Sequence, residues 1–242
     1  MLVPAFREPA SAWTHLVWLA AAVPALVPLW RAAGADPLKR RGAAVFGVSL
    51  VFCSAGSFLF HSAPAEFVPF FRAVDHVGIF LLIAGTVTPI GLVVLDGRWR
   101  LSLVGGIWTL AFVGACLSLG GAHSVGAMTA LYLFMGWIGG LAYCELARRL
   151  THARLSLLMG GGLVYTAGAA MNAAQWPALA PGVFGAHELF HLFVMAGSAC
   201  HYLFITRVVL AYHGPAARLA EAEVVPASIA VEGAEDRVVV LP

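Results

Sequence analysis

Between positions 13 and 211 the chain falls into seven predominantly apolar stretches, at roughly 13–31, 42–62, 75–95, 101–119, 125–146, 155–173 and 186–211. About 20 apolar residues are needed to cross the hydrocarbon core of a bilayer as a helix, which satisfies every backbone N–H and C=O within the segment. The separators carry turn residues and charge, as in "RAAGADPLKRRG", "SAPAEFVPFFR", "DGRWR", "GGAHS" and "RRLTHAR". Pro24, Pro28 and Pro89 fall inside stretches, where membrane helices tolerate kinks. The pattern predicts an all-α polytopic membrane protein, a seven-transmembrane-helix bundle over residues 1–213. From 214 the text becomes "GPAARLAEAEVVPASIAVEGAEDRVVVLP", which predicts a flexible tail over 214–242.

Composition agrees. With 61% hydrophobic and 11% charged residues, a soluble domain of 242 residues could not cover its surface with polar groups. A net charge of +2, with no basic stripe interleaved with aromatics, argues against nucleic acid as a partner. Cys53, Cys116, Cys144 and Cys200 lie singly in apolar runs with no C-x-x-C pair, so they read as small buried hydrophobes. The run from Trp13 to Trp30 continues at spanning length, which argues against a cleavable signal peptide.

Lys and Arg placement sets the predicted orientation. Arg31, Lys39, Arg40, Arg41, Arg98, Arg100, Arg148, Arg149, Arg154, Arg207, Arg218 and Arg237 are twelve of the 14 basic residues, and all fall on one side. Arg7 and Arg72 fall on the other. The N-terminus is therefore predicted outside, the C-terminus in the cytoplasm.

Parity then gathers distant residues. Odd spans begin, and even spans end, on the outer side. Glu8, Ser11 and His15, then Ser57 and His61, then Asp75 and His76, and finally His187, Glu188 and His191 share that end. Ionisable groups in spans are costly and mark function by default, at about 2–3 kcal/mol or more for a charged group. A single histidine in a membrane helix is also explained by an interhelical hydrogen bond. Convergence of several at one depth favours a shared role.

His187 and His191 are four apart and stack on one helix face. "HELFH" matches the H-E-x-x-H string of zinc proteases, without their soluble context. Two imidazoles there, with His61 as a third ligand, would leave a fourth position on Zn²⁺ for water, and Asp75 would orient that water or take its proton. A metal-free triad of Ser57, His61 and Asp75 is the competing arrangement, but a rigid helix lacks the exposed elbow usual for a serine nucleophile. His201 lies about four turns deeper than His187, out of reach of the same ion, and is expected to hydrogen-bond within the bundle. Glu8 and His15 either cover the site or face the interface. Glu188 points about 100° away from His187, a supporting position before a protease-like base.

The segments "EPASAWTH", "SFLFHSAPA", "FRAVDHVGIFLLIAGTVTPI", "LYLFMGW", "GGLVYTAGA" and "HELFHLFVMAGSACHYLF" resemble hemolysin III, the bacterial branch of the progestin and adipoQ receptor family that includes the adiponectin receptors. The resemblance covers residues 8–211. It implies seven spans and a Zn²⁺ held by His61, His187 and His191, with Asp75 acting beside the metal through a water and Ser57 matching the family's S-x-x-x-H serine. Ser11 and Leu16 depart from the asparagine and glycine usual in the N-terminal motif. Adiponectin receptors place the N-terminus and zinc toward the cytoplasm, whereas the basic-residue count here predicts the reverse.

With the alkaline ceramidases of the wider superfamily, the resemblance implies a zinc-dependent hydrolase of a lipid amide (ceramide-like) bond in the bacterial plasma membrane. A zinc-stabilised receptor without turnover is the alternative. A pore-forming cytolysin, suggested by the family's name, fits less well because polar residues cluster at one end. No feature specifies an oligomeric state.

Overall fold

The computed structural model of the chain describes residues 6–121, 124–180 and 183–214. Helices α1 (Pro9–Ala33), α2 (Pro37–Ser62), α3 (Val68–Pro89), α4 (Gly97–Leu119), α5 (Val125–Leu141), α6 (Tyr143–Ala147), α7 (His152–Ala174) and α8 (Ala186–Phe204) follow in order. A 3₁₀ turn, Ala65–Phe67, precedes α3, and π-helical turns Ile90–Val94 and Ile205–Val209 extend α3 and α8. An isolated bridge between Ala180 and Phe184 is the one extended pairing among the described residues. The predicted tail from 214 falls, over 215–242, outside the described residues.

Local chemistry explains the helix starts. Asp36 accepts from Leu38 N at 2.8 Å and Lys39 N at 3.1 Å, with Pro37 at the first helical position of α2. Thr151 caps α7 through Arg154 N at 3.4 Å. Glu188 reaches back to Gly185 N at 2.8 Å and closes the start of α8.

Among the described residues, six helical segments are long and apolar enough to cross a membrane: Pro9–Ala33, Pro37–Ser62, Ala65–Val94, Gly97–Leu119, Gly126–Ala147 and Ala186–Val209. The chain is thus a polytopic all-α membrane protein, with six such segments among the described residues, one fewer than the apolar text predicts. The difference is α7, a helix of 23 residues whose apolar character is diluted by Gly160, Gly161, Gly162, Tyr165, Thr166 and Asn172. Large apolar side chains such as Val17, Leu101, Phe112 and Leu141 are exposed on the outside, the surface a bilayer solvates.

Helix α1 packs on α2 and α8, α2 on α3, α3 on α4, and α7 on α8. Between helices in lipid the attraction is close packing more than water exclusion, so small residues let backbones approach. A Cβ on Gly42 would lie 2.8 Å from Pro89 Cα, and one on Gly78 would lie 2.9 Å from Cys53 Cα. These two glycines set the α2–α3 spacing. Ala22, Leu29, Phe46, Leu50, Leu82 and Ile205 fill the core beneath the site. Away from that core, Arg149 joins Asp96 (2.5 Å), Glu145 (2.9 Å) and the Val94 carbonyl (2.8 Å), tying the α3–α4 connection to α6.

Candidate metal centre

Four imidazoles gather where α1, α2 and α8 meet. His15 lies in the second turn of α1, His61 in the last turn of α2, and His187 and His191 in the first two turns of α8. Ring centroids are 4.3 Å apart for His15 and His191, 4.5 Å for His187 and His191, 4.8 Å for His61 and His191, 5.3 Å for His61 and His187, and 6.0 Å for His15 and His61. Donor atoms of His15, His61 and His191 all lie within 4.8 Å of one another, and so do those of Glu8, His61 and His187. His61 belongs to both sets.

The hydrogen bonds leave one nitrogen of each of three rings for another partner. His61 Nδ1 contacts the Glu8 carboxylate, and its Nε2 is buried with no hydrogen bond. His187 Nδ1 is 3.3 Å from Asn172 Oδ1. The Thr14 hydroxyl donates to the Ser11 carbonyl at 2.7 Å, so at 3.4 Å from His191 Nδ1 it acts as the acceptor. With Nδ1 assigned as the donor in each of these contacts, Nε2 keeps its lone pair. Metal-ligating histidines are oriented in this way, with the far N–H given to a carboxylate, carbonyl or other acceptor. The donor set of imidazole and carboxylate suits Zn²⁺. The chemistry of both converging sets fits the ion, but the expected trio His61, His187 and His191 is split between them, with His61 and His191 meeting His15, and His61 and His187 meeting Glu8.

Asp75 lines a cavity of about 420 Å³ together with His15, His187, His191 and Ser57. The lining follows α3 from Asp75 to Ile90 at the start of its π-helical extension, roughly 22 Å at the helical rise. That exceeds the ~15 Å depth of one hydrocarbon leaflet, half the bilayer core. Ile83, Leu103, Leu146 and Val194 make the walls apolar, and His201 lines the cavity while its Nε2 donates to the Leu158 carbonyl at 3.1 Å. The volume is that of a small-molecule site.

The Ser57 hydroxyl faces the Asp75 carboxyl in this cavity. His61, with Nδ1 at Glu8 and Nε2 without a hydrogen bond, makes no hydrogen bond to the Ser57 hydroxyl. A nucleophile and base must be within hydrogen-bond reach, so the serine triad is not assembled. Glu188 has both oxygens engaged, one by Gly185 N at 2.8 Å and one by Ser11 Oγ at 3.0 Å. It is a helix cap and an α1–α8 clamp.

The family profile described as "Haemolysin-III related" matches residues 4–202. "Hemolysin-3" of Bacillus cereus is 35% identical over 208 residues, covering 84% of this chain and 92% of that protein. "Hemolysin-3 homolog" of Bacillus subtilis (strain 168) is 31% identical over 200 residues, covering 81% and 91%. The chain belongs to the hemolysin III family.

All the residues singled out from the sequence of this hemolysin III protein lie inside the matched region. His61, His187 and His191 come together, and Ser57 and Asp75 face each other in the adjoining cavity. His15 is buried within the imidazole cluster, and Glu8 supports His61. Thr14 and Asn172 were missed. Their signal was available: Thr14 adjoins His15, and Asn172 ends an even stretch, which parity sends to the site's end.

Proposed function

We propose that this hemolysin III protein is a zinc-dependent hydrolase that cleaves the amide bond of a ceramide-like membrane lipid. The observation that carries the reading is the nitrogen accounting. Three imidazoles have Nδ1 held by Glu8, Asn172 and Thr14, and Nε2 left free, beside a carboxyl at the head of an apolar cavity. His61, His187 and His191 would hold the ion. Zn²⁺ held there would polarise a carbonyl and lower the pKa of a water toward ~7.

The chain's own residues do the rest. Asp75 accepts the proton of the attacking water and returns it to the leaving nitrogen as the C–N bond breaks, giving a fatty acid and an amine. Ser57 holds the Asp75 carboxyl in place. The walls around Ile83, Leu103 and Val194 take an acyl chain and exclude bulk water. In this reading α7 also crosses, making seven spans, with Tyr165 and Asn172 paired to Ser198 and His187 of α8 and Thr166 accepting from Trp137 of α5. The N-terminus and the site face outward from the bacterial plasma membrane, with the C-terminus cytoplasmic.

The test is zinc content and ceramide turnover of the purified protein and of His187→Ala. Loss of both together supports the hydrolase; full turnover without metal removes it. A zinc-stabilised receptor is the second reading, favoured by the way α1, α2 and α8 all converge on the cluster. It expects metal-dependent thermal stability without turnover. The cytolysin reading, suggested by the relatives' printed names, draws no support from a cavity whose walls are mainly apolar.

A further inference from the structure

The wall that α5 gives to the cavity carries Met128, Tyr132, Gly136 and Gly140, four positions apart on one helix face. The Tyr132 ring lies 4.7 Å from the fully buried Phe80 ring and 6.4 Å, edge-on, from His76. Its hydroxyl is buried and makes no hydrogen bond among the described residues. Leaving such a group unpaired costs about 1–3 kcal/mol. Other donors on the wall are committed: the Thr86 hydroxyl donates to the Leu82 carbonyl at 2.7 Å, Trp137 Nε1 donates to Thr166 at 3.1 Å, and the Tyr165 hydroxyl pairs with Ser198 at 2.6 Å. Tyrosines near span ends anchor in the headgroup region. Tyr132 instead stands seven residues, roughly 10 Å, inside α5. Asp75 is likewise seven residues after Val68, the start of α3. The third and fifth spans start at the same end, so carboxyl and phenol share a depth. Both line the cavity, within electrostatic reach of each other.

We propose that Tyr132 is a further catalytic residue, donating its phenol O–H to the amide carbonyl oxygen of the lipid as water attacks the carbon. The proposal rests on the reading of this cavity as the site of amide cleavage. The unpaired hydroxyl carries it: apolar walls offer a phenol no acceptor, and an amide carbonyl placed beside Asp75 does. As water adds to the carbon, the π electrons of the C=O bond move onto oxygen, and the O–H meets that charge without giving up its proton. The C–N bond then breaks with the proton passing through Asp75. A donor fixed in a water-excluded pocket before the charge develops needs no reorganisation. Ser57 is not placed for this part, because its hydroxyl faces the Asp75 carboxyl.

The test compares the full chain and its Tyr132→Phe variant, in detergent and loaded with Zn²⁺, by ceramide turnover and thermal unfolding. Infrared spectra of a ceramide with a ¹³C-labelled amide carbonyl are taken with Asp75→Asn added to both, so that the lipid stays uncleaved. Tyr132→Phe should keep its zinc and its thermal midpoint, since its hydroxyl has no protein partner to lose. Its kcat should fall on the order of 10²- to 10³-fold, with KM altered less. The carbonyl band should move to higher frequency, the mark of a lost hydrogen bond. Unchanged kcat with an unchanged band overturns the proposal while leaving the hydrolase reading intact. A lowered midpoint with an unchanged band makes Tyr132 a packing residue and overturns it equally. Wild type that binds the lipid without cleaving it overturns the hydrolase reading itself.

Discussion

Glu8 and His61, 53 positions apart, are joined twice: the Glu8 backbone N–H donates to the His61 carbonyl at 3.1 Å, and the Glu8 carboxylate contacts His61 Nδ1. Arg7 adds a bond to the Phe60 carbonyl at 2.7 Å and an ion pair to Glu8 at 2.7 Å. The chain entering α1 is thereby clamped to the end of α2. One residue fixes both the approach of two helices and the orientation of an imidazole.

Glu8→Gln should therefore weaken metal binding without unfolding the bundle. The amide loses the charge that makes His61 a better ligand, and supporting partners of this type command about 10- to 100-fold in affinity. Chelator competition on the purified protein reads the change, with circular dichroism as the control for helix content. Unaltered affinity would remove Glu8 from the site's chemistry.

Asp75→Asn should retain zinc and lose turnover by roughly 10²- to 10⁴-fold, the usual range for a general base. The amide keeps the shape and the contact to Ser57 but takes no proton. Metal analysis alongside a fluorescent ceramide assay separates the two effects. A loss of metal in this variant would instead make Asp75 a ligand.

Glu188→Ala should lower stability by about 1–2 kcal/mol, the scale of a lost helix cap. It removes the bonds to Gly185 N and Ser11 Oγ together. Ser11→Ala breaks only the second, so its thermal midpoint should fall between wild type and Glu188→Ala. Equal midpoints for wild type and Glu188→Ala would contradict the clamp.

Gly78→Ala should destabilise the protein by about 1–3 kcal/mol, the cost of overpacking. Its Cβ would meet Cys53 Cα at 2.9 Å, backbone that cannot rotate aside. Thermal unfolding checks this, with Gly105→Ala as the control, since a Cβ there meets nothing within 4 Å.

A fluorescent protein fused after Pro242 should fold and fluoresce, and alkaline phosphatase at the same place should be inactive, because the basic residues predict a cytoplasmic C-terminus. The reverse pattern would invert the orientation and turn the site toward the cytoplasm.

Much of this was legible in the sequence because membrane helices obey a length rule. The apolar stretches and their charged separators locate helices without tertiary information, and parity brings His61 to the end that holds His187 and His191. The start of α3 was not legible from apolarity alone: Val68–Arg72 continues the helix before 75, since Pro69 suits a first turn and Arg72 sits over the Phe60 ring at 5.9 Å. Nor did the text "HELFH" reveal that Glu188 is spent on Gly185 and Ser11, because helical spacing gives a direction but not a partner.

By itself the sequence determined membership of the membrane class, the helix-rich architecture and the end of the bundle where ionisable residues collect, since all three follow from hydrophobicity and its period along one chain. Only the tertiary structure decided which partner holds Nδ1 of His61, His187 and His191, that Ser57 faces Asp75 rather than His61, and that His15 enters the cluster. Those are questions of hydrogen-bond partners a few ångströms apart. They are settled by how α1, α2, α3 and α8 pack, with Gly42 and Gly78 setting the α2–α3 approach, and spacing along the chain carries no record of them.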